Sequence, residues 1–298
     1  MASRAREHEI LRLPDGQSVG VARYGLPGGH PVLAFHGAPA SRLMFDVADA
    51  DAKSLGIELI CPDRPGYGLS SPDVGTSLML RTESHATLVD ALGLERFHIL
   101  GVSGGAPYAV ALAAKMPDRI RGLGLVSPMG PIAEFVQSGG QSVHPFHRWF
   151  FLRFPKQSRL LAANSAVSAR FFKAAPQFFS KLFAGRLGDA DKAVLRQADV
   201  RASVIRMTHE SLQQGIWGAN ADLKIFSEPW DIDFGKVTCP AVLWQGTADR
   251  IVSPVVSLAL GDQLPNCQTV RLFGQGHFWV YDHITEVLSR TISLKAAV

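Results

Sequence analysis

Cysteine is scarce in this chain of 298 residues, which contains only three. They are Cys61, Cys239 and Cys267, an odd and scattered set without the Cys-x-x-Cys spacing of zinc sites and redox pairs. We therefore predict no zinc site and a fold that does not depend on disulfides. Apolar residues make up 47% of the sequence, enough to bury one large core, or a core with an inserted subdomain.

Long apolar runs are missing as well. No stretch reaches the roughly eighteen uncharged residues of a membrane span, and no apolar signal segment follows the charged N-terminus. The net charge of +4 is too small to indicate a nucleic-acid partner on its own. We expect a soluble cytoplasmic protein that binds a small molecule, without a nucleic-acid partner or integral membrane association.

Short apolar runs alternate with helix-like segments over most of the chain. This alternation predicts an α/β fold with a mostly parallel sheet covered on both faces. The first two strands are expected to form an antiparallel hairpin around Pro14-Asp15-Gly16. Six further strands are predicted at residues 31–35, 57–61, 97–102, 120–126, 241–244 and 269–273. Helices are expected at about 41–54, 76–92, 105–116, 254–264 and 279–294.

One segment, residues 129–234, shows no such alternation and reads as helical and rich in aromatic residues. It is predicted to be a helical cap inserted into a core formed by residues 1–128 and 235–298. Between Phe135 and Gly188 it contains no acidic residue, whereas basic residues and phenylalanines interleave. The basic residues are Arg148, Arg153, Lys156, Arg159, Arg170, Lys173, Lys181 and Arg186. The phenylalanines are Phe146, Phe150, Phe151, Phe154, Phe171, Phe172, Phe178, Phe179 and Phe183.

Two interpretations of this aromatic and basic segment remain open. The phenylalanines can form the core of the cap while arginine and lysine make its solvated face. Alternatively, some of them line a pocket for an acyl group, and the basic face favours an anionic substrate or a membrane surface. Trp217, Trp230 and Trp279 are further candidates for the border of that pocket.

The strongest chemical motif is Gly101-Val-Ser103-Gly-Gly105. The Gly-x-Ser-x-Gly string is weak evidence alone, but here an apolar run leads into it and a helix of small residues starting at Ala106 follows. Such a strand–turn–helix is what a nucleophile elbow requires, because the serine must project from a sharp turn. Close approach of strand and helix permits only small residues at positions 101 and 105. Ser103 is therefore the candidate nucleophile.

In this respect the chain resembles the α/β-hydrolase family, and further motifs match that family in order from about Leu11 to Arg290, apart from the cap. His36-Gly37-Ala38-Pro39 resembles the family's oxyanion loop. The resemblance implies that the backbone N–H groups of Ala38 and Gly104 form the oxyanion hole, and that His36 fixes the loop. Asp63-Arg-Pro-Gly-Tyr-Gly-Leu-Ser70 resembles a family loop to which we assign a shaping role.

A serine nucleophile needs a base and an orienting carboxylate. Among ten histidines, only His277 lies on a loop between the last predicted strand and the terminal helix, where the family places its base. Asp249 follows a predicted buried strand and matches the family's Gly-x-x-Asp-x-x-Val segment, which gives the order Ser, Asp, His of this fold. The other position for an acid, Ser127-Pro-Met-Gly130, holds no carboxylate. Asp262 and Asp282 are expected to face solvent.

These residues predict a serine hydrolase that cleaves carboxylic esters through an acyl-enzyme, with an apolar acyl substrate. An amidase or peptidase, a carbon–carbon bond hydrolase and an acyltransferase use the same triad and remain alternatives. A receptor-like binding protein or a cofactor-free oxygenase of this fold also remains open. Serine at the elbow argues against the epoxide hydrolases and haloalkane dehalogenases of the fold, which carry aspartate there. We found no metal-ligand set, phosphate loop or nucleotide motif and expect no cofactor.

Overall fold

An eight-stranded sheet forms the centre of the protein. The computed structural model describes residues 6–73, 75–157 and 187–295. The strands are Arg6–Arg12 (β1), Ser18–Gly25 (β2), His30–Phe35 (β3), Ile57–Pro62 (β4), Phe97–Val102 (β5), Ile120–Val126 (β6), Ala241–Gly246 (β7) and Cys267–Leu272 (β8). Their order across the sheet is β1-β2-β4-β3-β5-β6-β7-β8.

The N-terminal hairpin is the antiparallel part of this sheet. β1 pairs with β2, and β2 pairs with β4, in antiparallel register. The remaining neighbours, from β4 through β3 to β8, are all parallel. The turn closes with a hydrogen bond of 2.8 Å from Leu13 N to Gln17 O, and Gly16 supplies the positive φ that the turn needs. The prediction of an α/β fold with a mostly parallel eight-stranded sheet is confirmed.

Helices cover both faces of the sheet. Those described are Asp49–Ser54 (α1), Leu78–Ala91 (α2), Ala106–Lys115 (α3), Ile132–Gln137 (α4), Pro145–Arg148 (α5), Asp189–Val194 (α6), Ala198–Ser211 (α7), Trp217–Phe226 (α8), Pro254–Gln263 (α9) and Ile284–Ser293 (α10). Helices α2, α3 and α9 contribute to one apolar cluster, while α1 and α10 contribute to a second on the other face. The central strand β5 is buried along its whole length because both faces are covered.

Short turns of 3₁₀ helix occur at Arg42–Ala48, Ser103–Gly105, Pro117–Arg119, Phe154–Lys156, Phe234–Lys236 and Trp279–Asp282, and Trp149–Arg153 is a π-helix. Two predicted helices are therefore divided. The segment 41–54 begins as a 3₁₀ turn because Ser41 accepts from Leu43 N and the backbone N–H of Arg42 is held by Asp63 Oδ1 at 2.7 Å. The segment 279–294 is likewise a 3₁₀ turn followed by α10.

Between β6 and β7 the described residues form helices α4 to α8, short 3₁₀ and π turns and irregular connections, and none of these described residues is in a strand. We call residues 129–234 the insertion; its assignment as a separate cap stays a prediction. The basic and aromatic residues predicted for positions 159–183, together with Arg186, lie outside the described residues. Within the described ranges, no helix is long and apolar enough to cross a membrane.

Candidate active site

Ser103 lies at the sharp turn between β5 and α3. Its φ of +51° is in the left-handed region, which costs a residue with a side chain about 1–3 kcal/mol and persists only where the surroundings impose it. A Cβ on Gly101 would lie 2.7 Å from Cβ of Ala109, and one on Gly105 would lie 2.4 Å from Phe35 O. Both contacts are too short for any side chain, so these two glycines allow the strand, turn and helix to meet.

His277 and Asp249 lie on neighbouring loops, after β8 and β7 respectively. His277 Nδ1 is 2.7 Å from Asp249 Oδ2, and both side chains are buried. An ionised carboxylate only accepts hydrogen bonds, so Nδ1 carries the proton and Nε2 is left free to accept one. The other oxygen, Oδ1, accepts from Ile251 N at 2.8 Å and Val252 N at 3.0 Å. Gln245 Nε2 donates to Oδ2 at 3.1 Å, which fixes the carboxylate fully.

The electrostatics of this pair favour its charged forms. Burial alone would raise the pKa of Asp249, but the His277 charge and the hydrogen bonds it accepts hold that pKa below the ordinary value. Burial alone would lower the pKa of His277, but the charge and hydrogen bond of Asp249 raise it above the ordinary value. The imidazole is therefore a stronger base than a free histidine.

The loop that follows β3 lies directly against Ser103. A Cβ on Gly37 would lie 3.4 Å from Cβ of Ser103 and 3.8 Å from its Oγ. A Cβ on Gly104 would lie 3.3 Å from the backbone N of Ala38. The structure thus brings Ala38 and Gly104, the two predicted oxyanion residues, next to each other and beside Ser103, the predicted nucleophile.

The end of β6 and the residues after it form hydrogen bonds to both Ser103 and the loop of His277. Among the described side chains no hydrogen bond joins Ser103 Oγ to His277, and such bonds are often long or poorly aligned in enzymes without substrate. Met129 N donates to Ser103 O at 3.0 Å just after β6. Two residues earlier, Ser127 Oγ contacts His277 O at 3.4 Å and accepts from Trp279 Nε1 at 3.2 Å. The end of β6 and the residues after it therefore link Ser103 to the loop that carries His277.

Sequence reasoning gave Ser127 no role because it considered only a carboxylate at that position. In the structure Ser127 is fully buried and has a φ of +43°. The Ser127-Pro-Met-Gly130 segment was a visible signal, since Ser and Pro at the end of a buried strand indicate a tight turn. The backbone N–H of Ser127 donates to Trp244 O of the neighbouring strand β7 at 2.8 Å.

His36 and Arg64 hold in place the loop after β3, which is predicted to form the oxyanion hole. Arg64 Nε donates to His36 O at 3.1 Å and Arg64 Nη2 donates to Gly37 O at 2.9 Å. The backbone N–H of Arg64 donates to His36 Nε2 at 3.0 Å, while His36 Nδ1 is 2.8 Å from Gly37 O. Burial and the Arg64 charge lower the pKa of His36 well below its usual range. His36 is therefore neutral, and its hydrogen bonds hold the loop in one position.

Asp222, on helix α8 of the insertion, completes this support. Its Oδ2 is 2.5 Å from Arg64 Nη1 and 2.6 Å from the hydroxyl of Tyr67, and its Oδ1 accepts from the Tyr108 hydroxyl at 2.7 Å. Arg64 lies over both tyrosine rings, 4.7 and 4.8 Å from their centroids. We refer to Arg64, Tyr67, Tyr108 and Asp222 as the Asp222 network. No motif in the sequence indicated Asp222, because its partners are far away along the chain.

The tryptophans considered for the pocket border have different positions. Trp217 is exposed, whereas Trp230 and Trp279 are buried in the two apolar clusters. Asp262 and Asp282 are exposed, as expected. In residues 6–73, 75–157 and 187–295, no group of three His, Cys, Asp or Glu side chains is arranged to hold a metal ion.

Comparison with known proteins places the chain among hydrolases. Its sequence matches the alpha/beta hydrolase fold family over residues 30–284. A 2-hydroxymuconate semialdehyde hydrolase of Pseudomonas putida is 27% identical over 268 residues, a match that covers 86% of this chain and 83% of that protein. A thermophilic esterase from Thermogutta terrifontis has a similar structure, with a TM-score of 0.66 at 22% identity and 98% coverage of both chains. An esterase from Exiguobacterium antarcticum gives a TM-score of 0.72 at 16% identity, covering 96% of this chain and 99% of that one.

The family match spans most of the chain, and the similar solved structures share its fold over nearly their full length. The resemblance drawn from the sequence motifs is confirmed at the level of the family. The protein is therefore a hydrolase that belongs to the alpha/beta hydrolase fold family.

Proposed function

We propose that the protein is a serine hydrolase that cleaves carboxylic esters, with Ser103, His277 and Asp249 as its catalytic triad. The observation that carries the proposal is the buried pair of His277 Nδ1 and Asp249 Oδ2 at 2.7 Å. This contact fixes the imidazole tautomer that leaves Nε2 free to take a proton from a nucleophile. A serine in a strained left-handed turn at the end of β5 supplies that nucleophile.

The reaction follows from these assignments. Ser103 Oγ attacks the ester carbonyl while His277 Nε2 takes its proton, and Asp249 stabilises the imidazolium that forms. The tetrahedral intermediate collapses when His277 gives the proton to the leaving alkoxide, which departs as the alcohol. Water, deprotonated by His277, then attacks the acyl-enzyme, and the bond to Oγ breaks as His277 returns that proton to Ser103, which releases the carboxylic acid. Asp249 stays ionised throughout, in keeping with its low pKa.

The backbone N–H groups of Ala38 and Gly104 form the proposed oxyanion hole. They are adjacent to Ser103, and Gly104 is at the start of the turn into α3, where free N–H groups carry partial positive charge. Each such donor is typically worth about 3–4 kcal/mol in the transition state, so its position matters. His36 and Arg64 hold the Ala38 side of the hole through the carbonyls of residues 36 and 37.

An apolar acyl group fits the surroundings of this hole. The ring of Phe226, on helix α8, lies 3.6 Å from the position that a Cβ on Gly104 would occupy. Phe226 is buried and belongs to the apolar cluster on that face of the sheet. The insertion thus presents an aromatic ring beside the reacting centre, which favours an apolar small-molecule substrate.

Hydrolysis of p-nitrophenyl esters from acetate to palmitate tests the proposal. Wild-type turnover should fall to background in Ser103→Ala, a loss of about 10⁶-fold in kcat, because the triad acts as a unit. The exposed Ser54→Ala variant is the matched control and should retain wild-type turnover. Turnover that survives in Ser103→Ala, or a wild type inactive on every ester, would refute the proposal.

A second candidate comes from the similarity to the 2-hydroxymuconate semialdehyde hydrolase. That activity would use the same serine and base but a different scissile bond. Incubation of the wild type with 2-hydroxymuconate semialdehyde, followed by product analysis, separates the two. Consumption of the semialdehyde without ester turnover would favour the second candidate.

A further inference from the structure

A second buried carboxylate, Asp191, lies against the loop that carries His277. Asp191 belongs to helix α6 of the insertion and has no exposed surface. Its Oδ1 accepts from the backbone N–H of Phe278 at 2.8 Å. A Cβ on Gly276 would lie 2.3 Å from Oδ1 and 2.6 Å from Oδ2, so the carboxylate packs directly on the glycine backbone. Asp191 therefore contacts the residues on both sides of His277.

The carboxylate of Asp191 has few partners of its own. No described residue gives its Oδ2 a well-aligned hydrogen bond, although the backbone N–H of His277 also faces the carboxylate. The charged groups that act on it are the imidazole of His277 and the carboxylate of Asp249. A buried carboxylate without a cation is costly, and the imidazole is the cation within reach when it is protonated.

We propose that Asp191 is a positioning residue for the reaction: it holds the histidine loop in place, and its negative charge stabilises the imidazolium that forms when Ser103 attacks. The inference rests on the proposed function, because it takes His277 as the general base. If Asp191 had only a structural role, it would need only to accept a hydrogen bond from Phe278 N–H, which a neutral side chain can also do. The charge of Asp191 therefore distinguishes the two roles.

The charges around His277 set the direction of the expected effect. Burial lowers the pKa of His277, and the charge of Asp249 and then that of Asp191 raise it. His147, whose Nε2 is 3.1 Å from Arg250 O, also interacts electrostatically with Asp249. Burial raises the pKa of Asp191, and this effect is only partly offset by the hydrogen bond from Phe278 N–H and the charge of His277, which lower the pKa. Removal of the Asp191 charge should therefore lower the pKa of His277.

Asp191→Asn tests the charge, because asparagine keeps the acceptor for Phe278 N–H. The matched control is Asp189→Asn, in the same helical turn but fully exposed. NMR titration of the His277 ring should give a lower midpoint in Asp191→Asn and an unchanged midpoint in Asp189→Asn. The acid limb of kcat/KM for an ester should move in the same direction. A His277 midpoint in Asp191→Asn equal to that of wild type would overturn the charge role.

Asp191→Ala and Gly276→Ala test the position of the loop. The first removes the acceptor, and the second places a methyl group where the carboxylate now lies. Both should lower kcat by up to about a hundredfold with less change in KM, since misplacement of a catalytic group by about 1 Å has an effect of that size. Asp191→Asn should recover part of the kcat lost in Asp191→Ala. Wild-type kcat in folded Asp191→Ala or in folded Gly276→Ala would overturn the positioning role. If both Asp191 variants fail to fold, the kcat of Gly276→Ala alone decides whether the position of the loop matters.

The NMR titration separates this inference from the function proposed above, because it needs no substrate. If ester turnover is lost in Ser103→Ala but Asp191→Asn leaves the His277 midpoint unchanged, the esterase proposal stands and the charge role of Asp191 is overturned. A lowered midpoint in a protein without ester turnover would support the contact of Asp191 with His277 and overturn the esterase.

Discussion

At the scale of single residues, the proposed chemistry depends on one strained serine and one buried pair. Ser103 has a positive φ at the end of β5, while the contact of Asp249 with His277 selects the tautomer of the proposed base. Neither Ser103 nor His277 could act alone, because an isolated serine hydroxyl is a weak nucleophile and a free imidazole is not oriented.

The pH dependence of activity follows from the raised pKa of His277. The base must be neutral to accept a proton, and a raised pKa keeps it protonated to higher pH. We expect the acid limb of kcat/KM to have its midpoint above 6.5, the ordinary histidine value. Initial rates on p-nitrophenyl acetate across the acid and neutral range measure this midpoint. A midpoint clearly below 6.5 would contradict the dominance of Asp249 over burial.

Asp249→Asn should keep the shape of the site but lose its function. The amide can donate to Nδ1, which favours the tautomer with the proton on Nε2, where the base must be free. We expect kcat to fall by about 10⁴-fold with the fold intact. Asp262→Asn, an exposed change on α9, is the control. Nearly normal kcat in Asp249→Asn would show that another group orients the base.

At the scale of elements, helix α8 of the insertion supports a loop of the core. Asp222 reaches across to Arg64, which in turn holds the carbonyls of residues 36 and 37. Arg64 and Asp222 are both almost completely buried. Removal of one partner from such a pair leaves a buried charge without compensation, which is much worse than loss of an exposed ion pair.

Asp222→Ala should therefore destabilise the protein by about 3–5 kcal/mol. Urea unfolding followed by circular dichroism measures the change in free energy. Asp199→Ala, at an exposed position on α7, should change it by less than about 0.5 kcal/mol. We also expect kcat to fall in Asp222→Ala under conditions where it is folded, because Arg64 no longer fixes the oxyanion loop. A variant as stable as wild type would show that the Asp222 network contributes little.

The sequence predicted elements and motifs better than contacts between them. The strands and most helices followed from alternation of apolar runs, and the loops that carry Ser103, Asp249 and His277 followed from their places after strands. Asp191 and Asp222 escaped prediction because their partners are distant in sequence and their own segments contain no motif. Burial, which makes both carboxylates important, becomes visible only when the insertion is folded onto the core.

At the scale of the whole molecule, the insertion and the core are joined by buried charges. Asp222 contacts Arg64, and Glu210 of α7 lies 2.6 Å from Arg42 Nη2, whose Nη1 is 2.7 Å from Asp63. These contacts hold two helices of the insertion against two loops of the core. Opening of the insertion would also expose apolar side chains such as Phe226 and Trp230, which share one apolar cluster with residues of the core, so opening is opposed by the loss of that burial.

We therefore expect the insertion and the core to unfold in one transition. Trp149, Trp217 and Trp230 report on the insertion, and Trp244 and Trp279 report on the core. Tryptophan fluorescence and far-ultraviolet circular dichroism should give the same urea midpoint in the wild type. A fluorescence change at lower urea, with secondary structure retained, would show that the insertion opens separately.

The placement of Asp191 and Asp222 has a consequence for protein engineering. Helix α6 carries Asp191, which contacts the loop of His277, and helix α8 carries Asp222, which contacts Arg64. A chimera in which the insertion of another hydrolase replaces this one would lose both contacts. Changes of substrate preference are better sought by mutating apolar positions such as Phe226, whose uncharged ring lies near Gly104. The insertion can therefore be exchanged only if the replacement keeps aspartates at the positions equivalent to Asp191 and Asp222.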